Sequence, residues 1–137
     1  MKANAFTQHT SGVFINSGTK SAENWLSAPF GYQTSGNTMI WSKGSGAYND
    51  TIGGKMTVDT WHHVAVTQNG STATLYIDGV KAASGTASNT ISADTETYLG
   101  VNFWDTPFNG LIDDLYIYNG TTLTDEQVMN LFEATNQ

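Results

Sequence analysis

Apolar and polar residues alternate with a period of two along most of this chain, the spacing of half-buried strands rather than of helices. The clearest case is Trp61 to Gly79, WHHVAVTQNGSTATLYIDG. Val64 and Val66 alternate with Ala65 and Thr67, Asn69-Gly70 tolerates the positive φ angles of a tight turn, and Leu75 and Ile77 alternate with Thr74 and Tyr76 on the return. This predicts a hairpin with one apolar face. Asp78-Gly79 then reverses the chain into Val80-Lys81-Ala82, so the pattern continues as a meander. The face made by Val64, Val66, Leu75 and Ile77 needs a second layer to cover it. The expected fold is therefore all-β, a two-sheet antiparallel β-sandwich.

The rest of the chain supplies further strands. Val13-Phe14-Ile15 ends in the turn Asn16-Ser17-Gly18, and the run Asn24 to Pro29 reads as the next strand, with Pro29 placing its end at an edge or a bend. In Asn37 to Lys43, Met39, Trp41 and Lys43 share one face and Ile40 takes the other, and Lys43 suggests that the Trp41 face opens towards water. Gly44 to Gly54 reads as a turn-rich loop carrying Tyr48 and Asp50. Thr97 to Trp104 is expected to turn Leu99, Val101 and Phe103 one way and Tyr98, Asn102 and Trp104 the other, and Leu111 to Tyr118 (LIDDLYIY) reads as a last strand. Thr124 and Gln127 then form a capping box, with Leu123 and Val128 able to staple the start of one short C-terminal helix.

At 137 residues, with 14 Gly and two Pro, the chain suits one domain of short strands and frequent turns. Five Lys, no Arg and 12 acidic residues give a net charge of −7, which disfavours nucleic acid and anionic membrane surfaces as partners. Lacking Arg, the chain also lacks the planar fork that grips carboxylates and phosphates, so a neutral ligand fits better. The absence of Cys removes thiolate metal sites and thiol nucleophiles.

The motifs WHHVAVT, TLYIDG, YLG, a Gly followed by IDDLYIY, and a capped LTDEQV, in that order, resemble a laminin G-like module of the concanavalin A-like lectin/glucanase superfamily, a jelly-roll sandwich. NTMIWS and LGVNFWDTPFNG are similar to modules appended to secreted bacterial glycoside hydrolases that degrade plant polysaccharides, arabinan-active ones in particular. The resemblance implies an extracellular, non-catalytic carbohydrate-binding module that targets an attached catalytic domain. The alternative is a structural or adhesive protein-interaction module with no sugar binding. Residues 1–137 are expected to form a single domain lacking the first one or two strands of such a module, with self-association through unpaired sheet edges as a consequence.

Candidate chemistry narrows accordingly. The Glu residues are Glu23, Glu96, Glu126 and Glu133, and no strand carries the paired carboxylates of a glucanase, so no catalytic residue is nominated. Asp113 and Asp114 are neighbours and point to opposite sides of a strand, as do His62 and His63. The resemblance implies calcium at the sandwich rim with Asp113 as a ligand, while capping a turn is the competing role for that carboxylate. Sugar rings stack on aromatic faces while their hydroxyls seek amides and carboxylates. Trp41, Tyr48, Asn102, Trp104, Asp105 and Trp25 are the candidate ligand-binding residues on that ground, alongside Tyr32, Tyr98 and Asp50. Trp61 opens the central hairpin and is expected in the core.

Overall fold

A computed structural model of the chain describes residues 1–7, 9–18, 23–31, 35–87 and 94–135. Among these residues lie ten strands and one helix: β1 (Lys2–Ala3), β2 (Ser11–Ser17), β3 (Trp25–Gly31), β4 (Asn37–Gly44), β5 (Ala47–Lys55), β6 (Val64–Asn69), β7 (Thr72–Ile77), β8 (Val80–Thr86), β9 (Thr95–Leu99), β10 (Gly110–Leu111) and α1 (Asp125–Thr135). A five-stranded sheet of order β5-β4-β3-β2-β9 packs on the meander β6-β7-β8, and β1 pairs with β10. The result is an antiparallel β-sandwich with one C-terminal helix.

Period-two alternation builds the core between the sheets. Leu26, Ala28 and Ile40 come from the five-stranded sheet, and Ala73, Leu75, Ile77 and Ala83 from the meander, with Met56 and Ala87 closing the ends. Full burial of each large aliphatic side chain contributes about 1.5–3 kcal/mol before the entropy of ordering it. The sheets approach so closely at β5 and β8 that a Cβ on Gly53 would run into the Ala82 carbonyl, and one on Gly85 into the Thr51 side chain. Glycine is needed there for space rather than for an unusual φ.

Helix α1 packs against the meander at the β7–β8 turn, where Met129 and Phe132 approach Gly79. Tyr76 points away from Leu75 and Ile77, and its hydroxyl donates to Asp125 Oδ1 at 2.7 Å, while Lys81 Nζ lies 2.9 Å from the other oxygen. The Tyr76 hydrogen bond and then the Lys81 ammonium hold the Asp125 carboxyl below its ordinary range. The capping box forms as expected, with Gln127 N–H donating to Thr124 Oγ1 at 3.2 Å and Thr124 N–H to Gln127 Oε1 at 2.9 Å. Val128 is fully buried behind it.

His62 is a structural residue. Thr57 N–H donates to its Nε2 at 3.0 Å, which places the ring proton on Nδ1, where it reaches Asp78 Oδ2 at 2.7 Å. Asp78 Oδ1 accepts the His63 N–H at 3.0 Å, so one carboxylate ties the start of the hairpin to the β7–β8 turn.

Several local expectations shift. The segment read as a turn-rich loop is β5, because Ser45 and Gly46, with φ of 51° and 78°, form a two-residue turn that pairs Gly44 with Ala47. In the central hairpin Asn69 pairs with Thr72, so the turn is Gly70-Ser71, one residue later than the dipeptide pattern indicates. Pro29 sits in central strand β3, at a bulge between Ser27 and Phe30, so it marks a bend and not an edge. Among the described residues the LIDDLYIY run enters a ladder only at Gly110–Leu111. Asp114, with φ of 51°, leaves extended geometry midway along it, and Leu115, Tyr116, Ile117 and Tyr118 are exposed. Trp61 is also exposed, beside Lys2, and not in the core.

Candidate functional site

Residues directly opposite in an antiparallel ladder share a face, so the registers define what the five-stranded sheet presents away from the core. Across β9-β2-β3-β4-β5 one row reads Tyr98, Phe14, Ser27, Trp41 and Asp50, and the next reads Glu96, Asn16, Trp25, Lys43 and Tyr48. The β3 bulge then matters: it leaves Phe30 on this same side, with its ring 4.6 Å from Trp41. Without that extra residue Phe30 would follow Leu26 and Ala28 into the core.

The rings form two tiers. Trp25, 1% exposed, is a floor that meets Trp41 edge-on at 4.4 Å and lies 5.6 Å from Trp104 and 6.1 Å from Tyr48. Phe14 and Phe30 extend the floor, and both are buried. Above it stand Trp41, half-buried, with Tyr48 and Trp104, 60% and 51% exposed. The Trp41 and Tyr48 rings are inclined by 10° to one another, with centroids 6.1 Å apart. The structure thus brings Trp25, Trp41, Tyr48 and Trp104 together on one face, while Tyr32 lies outside the described residues.

Trp104 reaches this face from a loop and not from a strand. Gly100, with φ of 71°, ends β9 and breaks the alternation expected through Trp104, and Phe108 N–H donates to Gly100 O at 2.7 Å to close the loop. Phe103, expected on the opposite side from Trp104, therefore packs beside it, 5.1 Å from Phe14 and 5.4 Å from Trp104. Asn102 and Asp105 lie at the base. Asn102 Nδ2 donates to Ser11 Oγ at 2.9 Å and to Asp105 Oδ2 at 2.8 Å, and its Oδ1 accepts the N–H groups of Trp104 and Asp105, both at 2.8 Å. An amide has two donors and one two-fold acceptor, so this one is saturated.

Lys43, Glu23 and Glu96, beside the rings, have partners. Lys43 Nζ lies 2.7 Å from Glu23 Oε1 and 4.8 Å from the centre of the Tyr48 ring, and the Glu23 hydrogen bond raises its pKa. Tyr98 donates to Glu96. Asp50 stands opposite Trp41 at the β5 edge.

Asp113 lies elsewhere, exposed, with its Oδ1 accepting the Asp114 N–H at 2.9 Å. Among the described residues no three His, Asp or Glu side chains gather as a metal site. One exposed carboxylate already bonded to a backbone amide is a poor fit to the six to eight oxygens calcium takes.

Sequence reasoning did not nominate Phe14, Phe30 or Phe103 for this face, and it placed Lys43 beside Trp41 without making it a candidate for the site. Phe14 lies between Val13 and Ile15, so hydropathy cannot assign its side, and Phe30 and Phe103 follow irregularities that reset the alternation. Lys43, at i+2 from Trp41, carried a usable signal.

A sandwich whose outer sheet face is an aromatic floor under half-exposed rings is the form of a lectin-like module. The chain belongs to the concanavalin A-like lectin/glucanases superfamily, whose laminin G-like family model matches residues 1–129. It is similar to domain 4 of AbnA, a GH43 extracellular arabinanase from Geobacillus stearothermophilus solved in complex with arabinotriose. The identity is 38% and the TM-score 0.75, with 95% of this chain and 62% of that one covered. The chain thus spans less than two thirds of that relative. An S-layer domain-containing protein from Clostridium thermocellum matches at 20% identity and a TM-score of 0.49, over 92% of this chain and 64% of that one. No curated protein matches the chain.

Proposed function

We propose that the chain is a non-catalytic carbohydrate-binding module that takes a neutral oligosaccharide, an arabino-oligosaccharide first, on the face bearing Trp41, Tyr48 and Trp104. The observation that carries the reading is the exposed upper tier of rings over a buried aromatic floor, a rigid apolar surface matched to the C–H face of a sugar. Asp50, opposite Trp41, is placed to accept sugar hydroxyls. The arabinotriose in complex with the arabinanase domain supports the choice of ligand. An extracellular setting beside a glycoside hydrolase catalytic domain belongs to the same proposal.

Three rings, Trp41 half-buried and Tyr48 and Trp104 exposed, at about 1.5 kcal/mol each correspond to a Kd near a millimolar, so the module works through local concentration on a polymer. Catalysis forms no part of the proposal. Among the described residues Glu23 is bonded to Lys43, Glu96 to Tyr98 and Asp105 to Asn102, which leaves Asp50 as the one carboxylate of this face without such a bond, and a glycosidase needs two carboxyl groups positioned as a pair. The test is affinity electrophoresis in gels containing linear arabinan, xylan, pectin or β-glucan. Retardation by arabinan is expected, and unchanged mobility in all four gels rejects the reading.

A further inference from the structure

We infer that Asn102 and Asp105 are positioning residues, which fix the loop so that Trp104 stands as the wall of the proposed sugar site. This deepens the reading above and rests on it. The loop from Gly100 to Phe108 closes through one backbone bond at its neck, and the two N–H groups at its tip, those of Trp104 and Asp105, both end on Asn102 Oδ1. Asn102 thereby replaces the ladder that the strand lost at Gly100. Its Nδ2 carries the restraint down to the sheet: it donates to Ser11 Oγ, which also accepts the Ser27 hydroxyl at 2.7 Å, and Ser27 pairs with Trp41 in the next strand. The amide therefore couples the two sides of the site, the Trp104 loop and the Trp41 strand. Being saturated, it has no donor or acceptor left for a sugar hydroxyl, and Asp105 Oδ2 is committed to it.

Positioning and direct contact predict different mutant behaviour. N102A is expected to weaken arabinotriose binding about fivefold to tenfold, while adding it to W104A costs less than a further twofold, because both act through one ring. N102D places a carboxylate against the Asp105 carboxylate and is expected to fail at pH 7. The swap N102D/D105N restores an amide-to-carboxylate pair with donor and acceptor exchanged, and is expected to recover affinity to within threefold of wild type. A side chain that only filled space would not be rescued by the swap.

Binding is followed by NMR titration with arabinotriose, together with the Trp104 indole N–H resonance, assigned by its loss in W104F. Affinity of N102A within twofold of wild type, losses that add fully with W104A, or failure of the swap overturns the inference. If the wild type binds no arabinotriose, the proposed function falls. The indole resonance then decides separately: it must shift or broaden in N102A and return in the swap, and an unmoved resonance rejects the positioning role.

Discussion

Replacing Trp104 by alanine separates ligand contact from fold, because that ring is exposed by 51% while Trp25 beneath it is exposed by 1%. About half of a Trp side chain's 150–250 Å², roughly 100 Å², is lost from the packed surface in W104A, which at about 25 cal/mol per Å² is ~2.5 kcal/mol as an upper bound. A fold of ordinary stability, about 5–15 kcal/mol, survives that loss. On the ligand side, removing one such ring costs about 1.5 kcal/mol, or about tenfold in affinity. Trp25 inverts the balance, since truncating a fully buried Trp leaves a cavity and costs about 3–5 kcal/mol. The assay pairs urea denaturation with NMR titration of arabinotriose. W104A should unfold slightly early and bind about tenfold more weakly, whereas W25A should lose about 3–5 kcal/mol of stability. If folded W104A binds within twofold of wild type, or if W25A unfolds at the wild-type midpoint, the division into floor and wall is wrong.

Four further expectations rest on separate parts of the structure. Gly53→Ala forces a Cβ against the Ala82 carbonyl and should cost about 1–3 kcal/mol, read as a lower urea midpoint with unchanged slope. His63 has a buried Nδ1 without a hydrogen-bond partner, and burial lowers its pKa despite the opposing pull of Asp78. The unfolded chain therefore takes up its proton first, near pH 6.5, and stability should fall as pH drops from there until the folded pKa is passed; H63F should flatten that part of the urea-midpoint profile. Chelation with EDTA should leave the Tm within about 1 °C of its value in millimolar calcium, since a weak exposed site adds little by mass action; a rise of several degrees with calcium would show a site that Asp113 alone does not explain. Arabinotriose affinity should change less than twofold between 50 and 500 mM NaCl, and a several-fold fall would place charge at the centre of recognition.

Much of the fold is legible in the sequence because it follows from alternation. Val64, Val66, Leu75 and Ile77 face one way in the registers Val64–Ile77 and Val66–Leu75, and Thr124 and Gln127 cap the helix through local bonds alone. What was not legible depends on partners far along the chain. β5 has no hydrophobic rhythm, since Tyr48, Asp50 and Ile52 are ordered by their register with β4 and not by burial in the core. LIDDLYIY has the rhythm without the ladder, because a strand exists only where another backbone completes its hydrogen bonds and Asp114 turns out of line. Trp61 has the composition of a core residue, yet its place beside Lys2 exposes it.

The candidate site divides along the same physical line. Trp41 could be assigned to an open face because Lys43 shares that face with it, and an ammonium must reach water or a partner, whereas Tyr48, read as part of a loop, joins the face only through its register opposite Lys43. Trp104, Asn102 and Asp105 were chosen for their chemistry, and all three do meet at one loop. The roles within that loop follow from saturation of hydrogen bonds, which no residue type reveals. An Asn beside a Trp is the composition of a sugar contact and equally of a loop clamp. Only the four partners at 2.8 to 2.9 Å, two of them backbone N–H groups of its own loop, distinguish them. The sugar hydroxyls are then left to groups with spare capacity, of which Asp50 stands opposite Trp41. Aromatic stacking therefore has to supply most of the affinity, and a flat, neutral, weakly hydrated sugar face is the ligand such a surface favours.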